Sequence, residues 1–311
     1  MPTRQERIEG GLYGLLIGDA LGVPYEFHPP AAIPIPRLIE FEPPPDYPRA
    51  HEGVPPGTWS DDGAHALCLL ASLQYRNGLD LEDLGRRLVN WYELGYMAVD
   101  YEVFDVGIQT RTALSAIRAG TPALKAGPSG EFDNGNGSLM RVLPLALWHQ
   151  GDDAALARDA MLQSRVTHGH MRSQVCCALY CLWARRTLEG SAEAWADAVA
   201  TFRALYPEGM EQREVLESAV RPDSPERGSG SGYVVDCLRS ARDCVAMGPY
   251  ERVVKEAISL GHDTDTTAAV AGGIAGIRDG VQGIPERWRN ALRGRELVEP
   301  MVKELLARQA G

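Results

Sequence analysis

Apolar residues recur along most of this chain at the spacing of one helical face. Ile8, Leu12, Leu15 and Leu16 fall at i, i+4, i+7 and i+8; Leu67, Leu70, Ala71 and Gln74 continue the pattern, and Val234, Leu238, Ala241 and Val245 repeat it. Few stretches show the period of two that a half-buried strand needs. The pattern predicts an all-α chain of roughly a dozen helices. They include residues 64–75, 108–119 and 171–188, packed on one another in a single domain over residues 1–311.

Three long irregular segments interrupt the helices: residues 24–58, residues 120–137, and one closing on Gly228, Ser229, Gly230, Ser231 and Gly232. Loops this long inside a compact domain usually line or cover a site. The first holds eleven of the 21 prolines, which bar it from a helix or a central strand. The second ends in Asp133, Asn134, Gly135, Asn136, Gly137 and Ser138. Each Gly-rich end leads into a helical pattern, where free amides can meet anionic oxygens. Neither matches a P-loop or a strand-linked G-x-G-x-x-G, so an NTPase or dinucleotide fold is a poor fit.

The 311 residues, 44% of them hydrophobic, suffice for a sizeable core. A formal net charge of −11, with no basic run of five, argues against nucleic acid as a partner. The charged start and the short apolar turn 12–17, broken by Gly18 and Asp19, do not make a signal segment, and no membrane-length apolar run exists. The expectation is a cytoplasmic protein with no membrane partner. Its six cysteines form no C-x-x-C pair and read as buried, reduced thiols.

Two acidic runs stand out. Ser60, Asp61 and Asp62 precede one helix, and Asp263, Asp265 and Thr266 open another some two hundred residues later. Either run alone can be read as helix capping. Each, however, carries more oxygen side chains than a cap requires, and hard divalent cations need oxygen ligands from more than one short run.

Together with these runs, several motifs carry a family resemblance: Gly18-Asp19-Ala20-Leu21-Gly22 with Glu26 beyond it, Trp59 before Ser60, Asp105-x-Gly107-x-x-Thr110, Gly135-Asn136-Gly137-Ser138-x-Met140-Arg141, Thr167-His168 and Ser231-Gly232-Tyr233. In order and spacing they resemble the ADP-ribosylglycohydrolase family over nearly the whole chain. The resemblance implies a compact orthogonal multi-helix bundle with two Mg²⁺ or Mn²⁺ ions per chain in a central cleft that takes ADP-ribose. It implies Ser60, Asp61, Asp62, Asp263, Asp265 and Thr266 as metal ligands, with Glu26, Asp62 and Asp105 as the catalytic acids. It also implies Asn134, Gly135, Asn136, Gly137, Ser138, His168 and Tyr233 as substrate contacts.

From the residues alone, Glu26 is an ordinary loop glutamate, Asp105 an N-cap, His168 a capping or core histidine and Tyr233 a packing aromatic. Trp59 either walls the cleft or packs. The chain departs from the commonest family pattern at Gly63, where relatives often carry a hydroxyl, at His262, where a small residue is frequent, and at Ile108, where some carry an amide. The expected partner is an ADP-ribosylated protein, arginine-linked first, or a small ADP-ribosyl conjugate, acted on by a monomer. Serine-linked ADP-ribose, O-acetyl-ADP-ribose, attack on the diphosphate, and a silent ADP-ribose binder stay open at this point.

Overall fold

Thr3 starts the first helix by a reciprocal cap: its hydroxyl accepts the Glu6 N–H while the Glu6 carboxylate accepts the Thr3 N–H. In the computed structural model, which describes residues 1–310, that helix is α1 (Arg4–Gly22). It is followed by α2 (Asp61–Arg76), α3 (Leu81–Leu94), α4 (Ile108–Arg118), α5 (Leu143–Trp148), α6 (Asp153–Ser164) and α7 (Met171–Glu189). The rest are α8 (Ala194–Leu205), α9 (Glu211–Val215), α10 (Val234–Val245), α11 (Tyr250–Ser259), α12 (Thr264–Asp279), α13 (Glu286–Ala291) and α14 (Arg295–Ala310). Among the described residues there is no strand, only an isolated antiparallel bridge between Gly135 and Tyr233. None of the helices is long and apolar enough to cross a membrane.

The helical periodicity is borne out, with one difference in α1. Its residues from Gly10 to Gly22 are all buried, so α1 is the central helix of the body and not a one-faced surface helix. It lies antiparallel to α12, with Gly14 against Gly272 and Gly18 against Ala268. A Cβ at either glycine would fall within 3.0 Å of a backbone carbonyl oxygen on α12. Glycine is required there because two backbones touch. That contact brings the end of α1 to the start of α12, and the second acidic run with it.

The Pro-rich segment forms three short 3₁₀ turns and no α-helix. It is pinned by Tyr25, whose hydroxyl donates to the Glu40 carbonyl at 2.9 Å and accepts the Glu40 N–H at 3.1 Å. The Glu40 carboxylate is held in turn by Arg287, Lys255 and the Trp288 ring N–H. All six cysteines are free and buried in helices, as expected.

Candidate active site

Asp19, near the end of α1, is fully buried and organises the first acidic run. Its carboxylate accepts the Ser60 N–H at 2.9 and 3.1 Å and the Gly63 N–H at 2.7 Å. Ser60 is the N-cap of α2, and its hydroxyl accepts the Asp62 N–H at 3.3 Å. Gly63 leaves no room for the hydroxyl that relatives often carry, since a Cβ would lie 2.7 Å from Trp59 Cγ and 2.8 Å from Leu16 Cδ2. Trp59 itself is buried and donates to the Met97 carbonyl, so it packs and does not wall the cleft.

The second run arrives on the first turn of α12. Thr266 Oγ1 donates to Asp62 Oδ1 at 3.2 Å, which joins side chains 204 residues apart. Asp263 occupies the N-cap position of α12 without making a capping bond, and its Oδ2 accepts instead from Asn136 Nδ2 at 2.8 Å. Oxygens of Asp19, Asp62 and Asp265 lie within 4.8 Å of one another, as do those of Glu26, Asp263 and Asp265. A third such group joins Glu26 and Asp105 to His51.

Burial and mutual repulsion set the electrostatics. Burial, with neighbouring carboxylates second, pushes Glu26 up to about 11, Asp105 up to about 6, and Asp61, Asp62 and Asp265 well above the ordinary carboxylate range. Asp19 is pushed by burial up to about 7 even though hydrogen bonds from the Ser60 and Gly63 backbones and the Ser60 side chain pull the other way. No basic side chain figures among the main influences on any of the six. Asp62 Oδ2 and Asp265 Oδ2 are buried without a hydrogen-bond partner. Buried unpartnered carboxylate oxygens are costly, and a hard divalent cation is the counter-charge this all-oxygen donor set fits.

Above the carboxylates is a cavity of about 550 Å³. Of the residues singled out by sequence, Glu26, Asp61, Asp105, Asn134, Gly135, Asn136, Gly137, His168, Tyr233, Asp263 and Thr266 line it. Ser60, Asp62 and Asp265 are buried beside it and do not line it. Ser138 does not line it either: its hydroxyl is turned into the core, 2.8 Å from Ser164 Oγ and 3.5 Å from Cys177 Sγ.

Two capping expectations and one anion-binding expectation are corrected. Asp105 is not the N-cap of α4; Gly107 is, and Asp105 sits in the left-handed region at φ 52°. The cap of α7 is His170, whose Nδ1 accepts the Arg172 N–H, which leaves His168 free to face the cavity. The amides of the 228–232 run are largely spent inside the protein. Asp236 takes the N–H and hydroxyl of both Ser229 and Ser231, while Gly228 and Gly230 donate to Asp243 and Ser240.

The other Gly-rich loop rests on that run. The Asn136 N–H donates to the Gly232 carbonyl at 3.1 Å, and the Val234 N–H to the Asn134 carbonyl at 3.0 Å. The Gly135 N–H donates to Gln109 Oε1, and Gly137, which lines the cavity, is left as a candidate amide of the loop for an anionic oxygen. Sequence reading assigned no role to Asp19, His51, Gln109 or Thr167. An acid inside an apolar helix was the available signal for Asp19. Nothing local marks His51, whose Nε2 lies 2.6 Å from Glu26 Oε2.

An all-helical body whose two acidic runs meet under a polar cavity has the donor set of a divalent-cation-dependent hydrolase. The chain belongs to the ADP-ribosylglycohydrolase family, whose profile matches residues 1–311, and is a hydrolase of glycosidic ADP-ribose linkages. It is 31% identical over 310 residues to an ADP-ribosylarginine hydrolase Tri1 of Pseudomonas putida (strain GB-1), covering 97% of this chain and 78% of that one. It is 28% identical over 298 residues to the ADP-ribosyl-[dinitrogen reductase] glycohydrolase of Rhodospirillum rubrum, covering 94% and 92%. A solved structure titled "ADP-ribosylglycohydrolase-related protein complex" superposes with a TM-score of 0.78 at 32% identity, covering 99% of both chains.

Proposed function

We propose that this protein removes ADP-ribose from modified arginine side chains of proteins, using two Mg²⁺ or Mn²⁺ ions. The meeting of Asp62 and Asp265 with unpartnered oxygens beneath the cavity is the observation that carries this reading. The similarity to an ADP-ribosylarginine hydrolase supports arginine as acceptor. So does a cavity wall bearing Asp105 and Asp133, which suits a guanidinium.

Ser60, Asp61, Asp62, Asp263, Asp265 and Thr266 are the residues that would hold the ions. Bound there, a divalent pair supplies Lewis acidity toward ribose hydroxyls and lowers the pKa of water. The chain's own groups do the rest. Cleavage at the anomeric carbon builds positive charge on the sugar, which the surrounding carboxylates stabilise. Glu26, whose carboxyl burial pushes up and which lines the cavity 2.6 Å from His51 Nε2, is the general acid for the departing acceptor, and His51 sets its direction. Asp105 orients substrate or water at the cavity wall. The loop from Asn134 to Gly137, His168 and Tyr233 line the cavity; the loop and His168 would take the diphosphate and the Tyr233 ring the base.

The test is a product-resolved assay on arginine- and serine-linked ADP-ribosyl peptides and on O-acetyl-ADP-ribose, with and without chelator. Intact ADP-ribose released from the arginine peptide, and lost with chelator, is expected; AMP as product overturns glycoside cleavage. Asp62→Asn should abolish the metal-dependent rise in melting temperature and lower turnover by about 100-fold or more. Native turnover in that variant would remove the metal assignment.

A further inference from the structure

Arg141 is fully buried, and among the described residues its hydrogen bonds go to neutral groups. Its Nε donates to Gln163 Oε1 at 2.9 Å and Nη2 to the Gln163 carbonyl at 2.9 Å, while Nη1 reaches the Gly137 carbonyl at 3.2 Å and Thr167 Oγ1 at 2.6 Å. A guanidinium only donates, so Thr167 Oγ1 is the acceptor in the last of these bonds. The hydroxyl's own proton then needs an acceptor, and His168 Nδ1, at 2.8 Å, is the one within reach among the described residues. Nδ1 must therefore present a lone pair. The opposite arrangement, Nδ1–H donating to Thr167, strands a buried hydroxyl proton, the kind of unpaired donor that folded proteins avoid.

The ring is neutral at ordinary pH, because burial and the Arg141 charge push His168 down to about 3. A neutral imidazole accepting at Nδ1 carries its proton on Nε2. That nitrogen is on the cavity side, against the loop: Cβ atoms built on Gly135 and Gly137 would lie 3.6 and 3.1 Å from it. The backbone of His168 is fixed as well, since its carbonyl accepts from Ser164 Oγ at 2.9 Å and its N–H donates to the Ser164 carbonyl at 2.7 Å.

We propose that Arg141 and Thr167 are positioning residues that lock His168 as a neutral ring protonated on Nε2, giving the cavity one fixed N–H donor for an anionic diphosphate oxygen. The ligand class rests on the ADP-ribose reading above; the lock itself does not. Arg141 also bonds the Gly137 carbonyl, so one buried cation holds both the loop and the histidine that faces it. The donor is paired for an acceptor-only ligand: a phosphate oxygen satisfies it, while a cationic group at the same place meets an N–H.

The experiment is long-range ¹H–¹⁵N correlation NMR of the full chain with ¹⁵N-labelled histidine, first ligand-free and then with ADP-ribose, alongside calorimetry. Native protein should show a pyridine-type Nδ1 and a pyrrole-type Nε2 for His168, with the Nε2–H signal shifting as ADP-ribose binds. Thr167→Val should release the lock, mixing the tautomers and weakening ADP-ribose binding about tenfold, the size of one hydrogen bond to a charged group. Thr167→Ser, which keeps the hydroxyl, should restore both. A native ring protonated on Nδ1 overturns the proposal, as does a Thr167→Val protein with native tautomer and native affinity. If native protein binds no ADP-ribose, the substrate reading fails, and the ligand-free spectrum still decides the lock.

Discussion

Replacing Gly14 by alanine tests whether the seam between α1 and α12 holds the site together. In an exposed helix the change would stabilise by about 1 kcal/mol, because alanine is the better helix former. Here the new Cβ would fall under 3.0 Å from the Gly272 carbonyl oxygen and 3.1 Å from Gly276 Cα. Both are backbone atoms, so no side chain can swing aside and the two helices must separate. A gap of about 0.5–1 Å forfeits a quarter to a half of the dispersion attraction along a contact, and overpacking of this kind costs about 3 kcal/mol. The clash outweighs the propensity gain by about 2 kcal/mol, worth about 3 °C in melting temperature for a chain of this size. Gly78, with nothing within 4 Å of a built Cβ, is the control: Gly78→Ala should leave stability level or slightly raised. Thermal unfolding followed by circular dichroism reads both. A Gly14→Ala protein as stable as the control would refute the claim that backbone contact here is obligatory. Separation of the helices should also weaken the Mn²⁺-induced stabilisation, since Asp19 and Asp265 are on opposite sides of the seam.

In chelator, stability should fall as pH rises from 6.5 to 8. Glu26, at about 11 in the folded protein, keeps a proton that the unfolded chain has already released above its pKa of about 4, a loss of about 1.4 kcal/mol per pH unit. Asp62 and Asp265, raised by burial first, shift stability in the same direction. Buried His65 and His168, pushed down, act oppositely only below about 6.5, which is why the window starts there. Urea midpoints should show the decline, and saturating Mg²⁺ or Mn²⁺ should flatten it; a rise across the window without metal would contradict the carboxylate account. His51→Gln should lower turnover about tenfold while leaving the metal-induced thermal shift intact. Loss of that shift would mean His51 supports the metal ligands and not Glu26.

Much of the site was legible because its chemistry is written in short runs. Ser60 to Asp62 and Asp263 to Thr266 carry more oxygens than two helix starts need, and the structure brings them together through Thr266 and Asp62. The four-residue spacing of Gly10, Gly14, Gly18 and Gly22 went unread, and one-face periodicity hid that α1 is buried throughout from Gly10 to Gly22. What escaped reading depends on partners far away in the chain. His51 is meaningful only because residues 24–58 fold back over Glu26. The Gly-Ser run looked like an anion cradle until Asp236 and Ser240 were seen to consume its amides. Asp105 resembled a cap by position, whereas α4 starts at Ile108 with Gly107 in the capping place, and Asp105 lies two residues before Gly107 in the left-handed region. Gly63 broke a familiar pattern for a packing reason, the Trp59 ring, that no local window shows.

The reciprocal bonds between Phe27 N–H and the His262 carbonyl, and between His262 N–H and the His28 carbonyl, are each 2.7 Å long. They buckle the acid at position 26 to the hairpin bend from which Asp263 hangs, with His262 taking a left-handed twist to close the buckle. Any backbone swing of residues 26–28 must unfasten both clasps at once, so the loop that bears the proton donor and the bend that bears its neighbouring ligand travel as one mechanical piece.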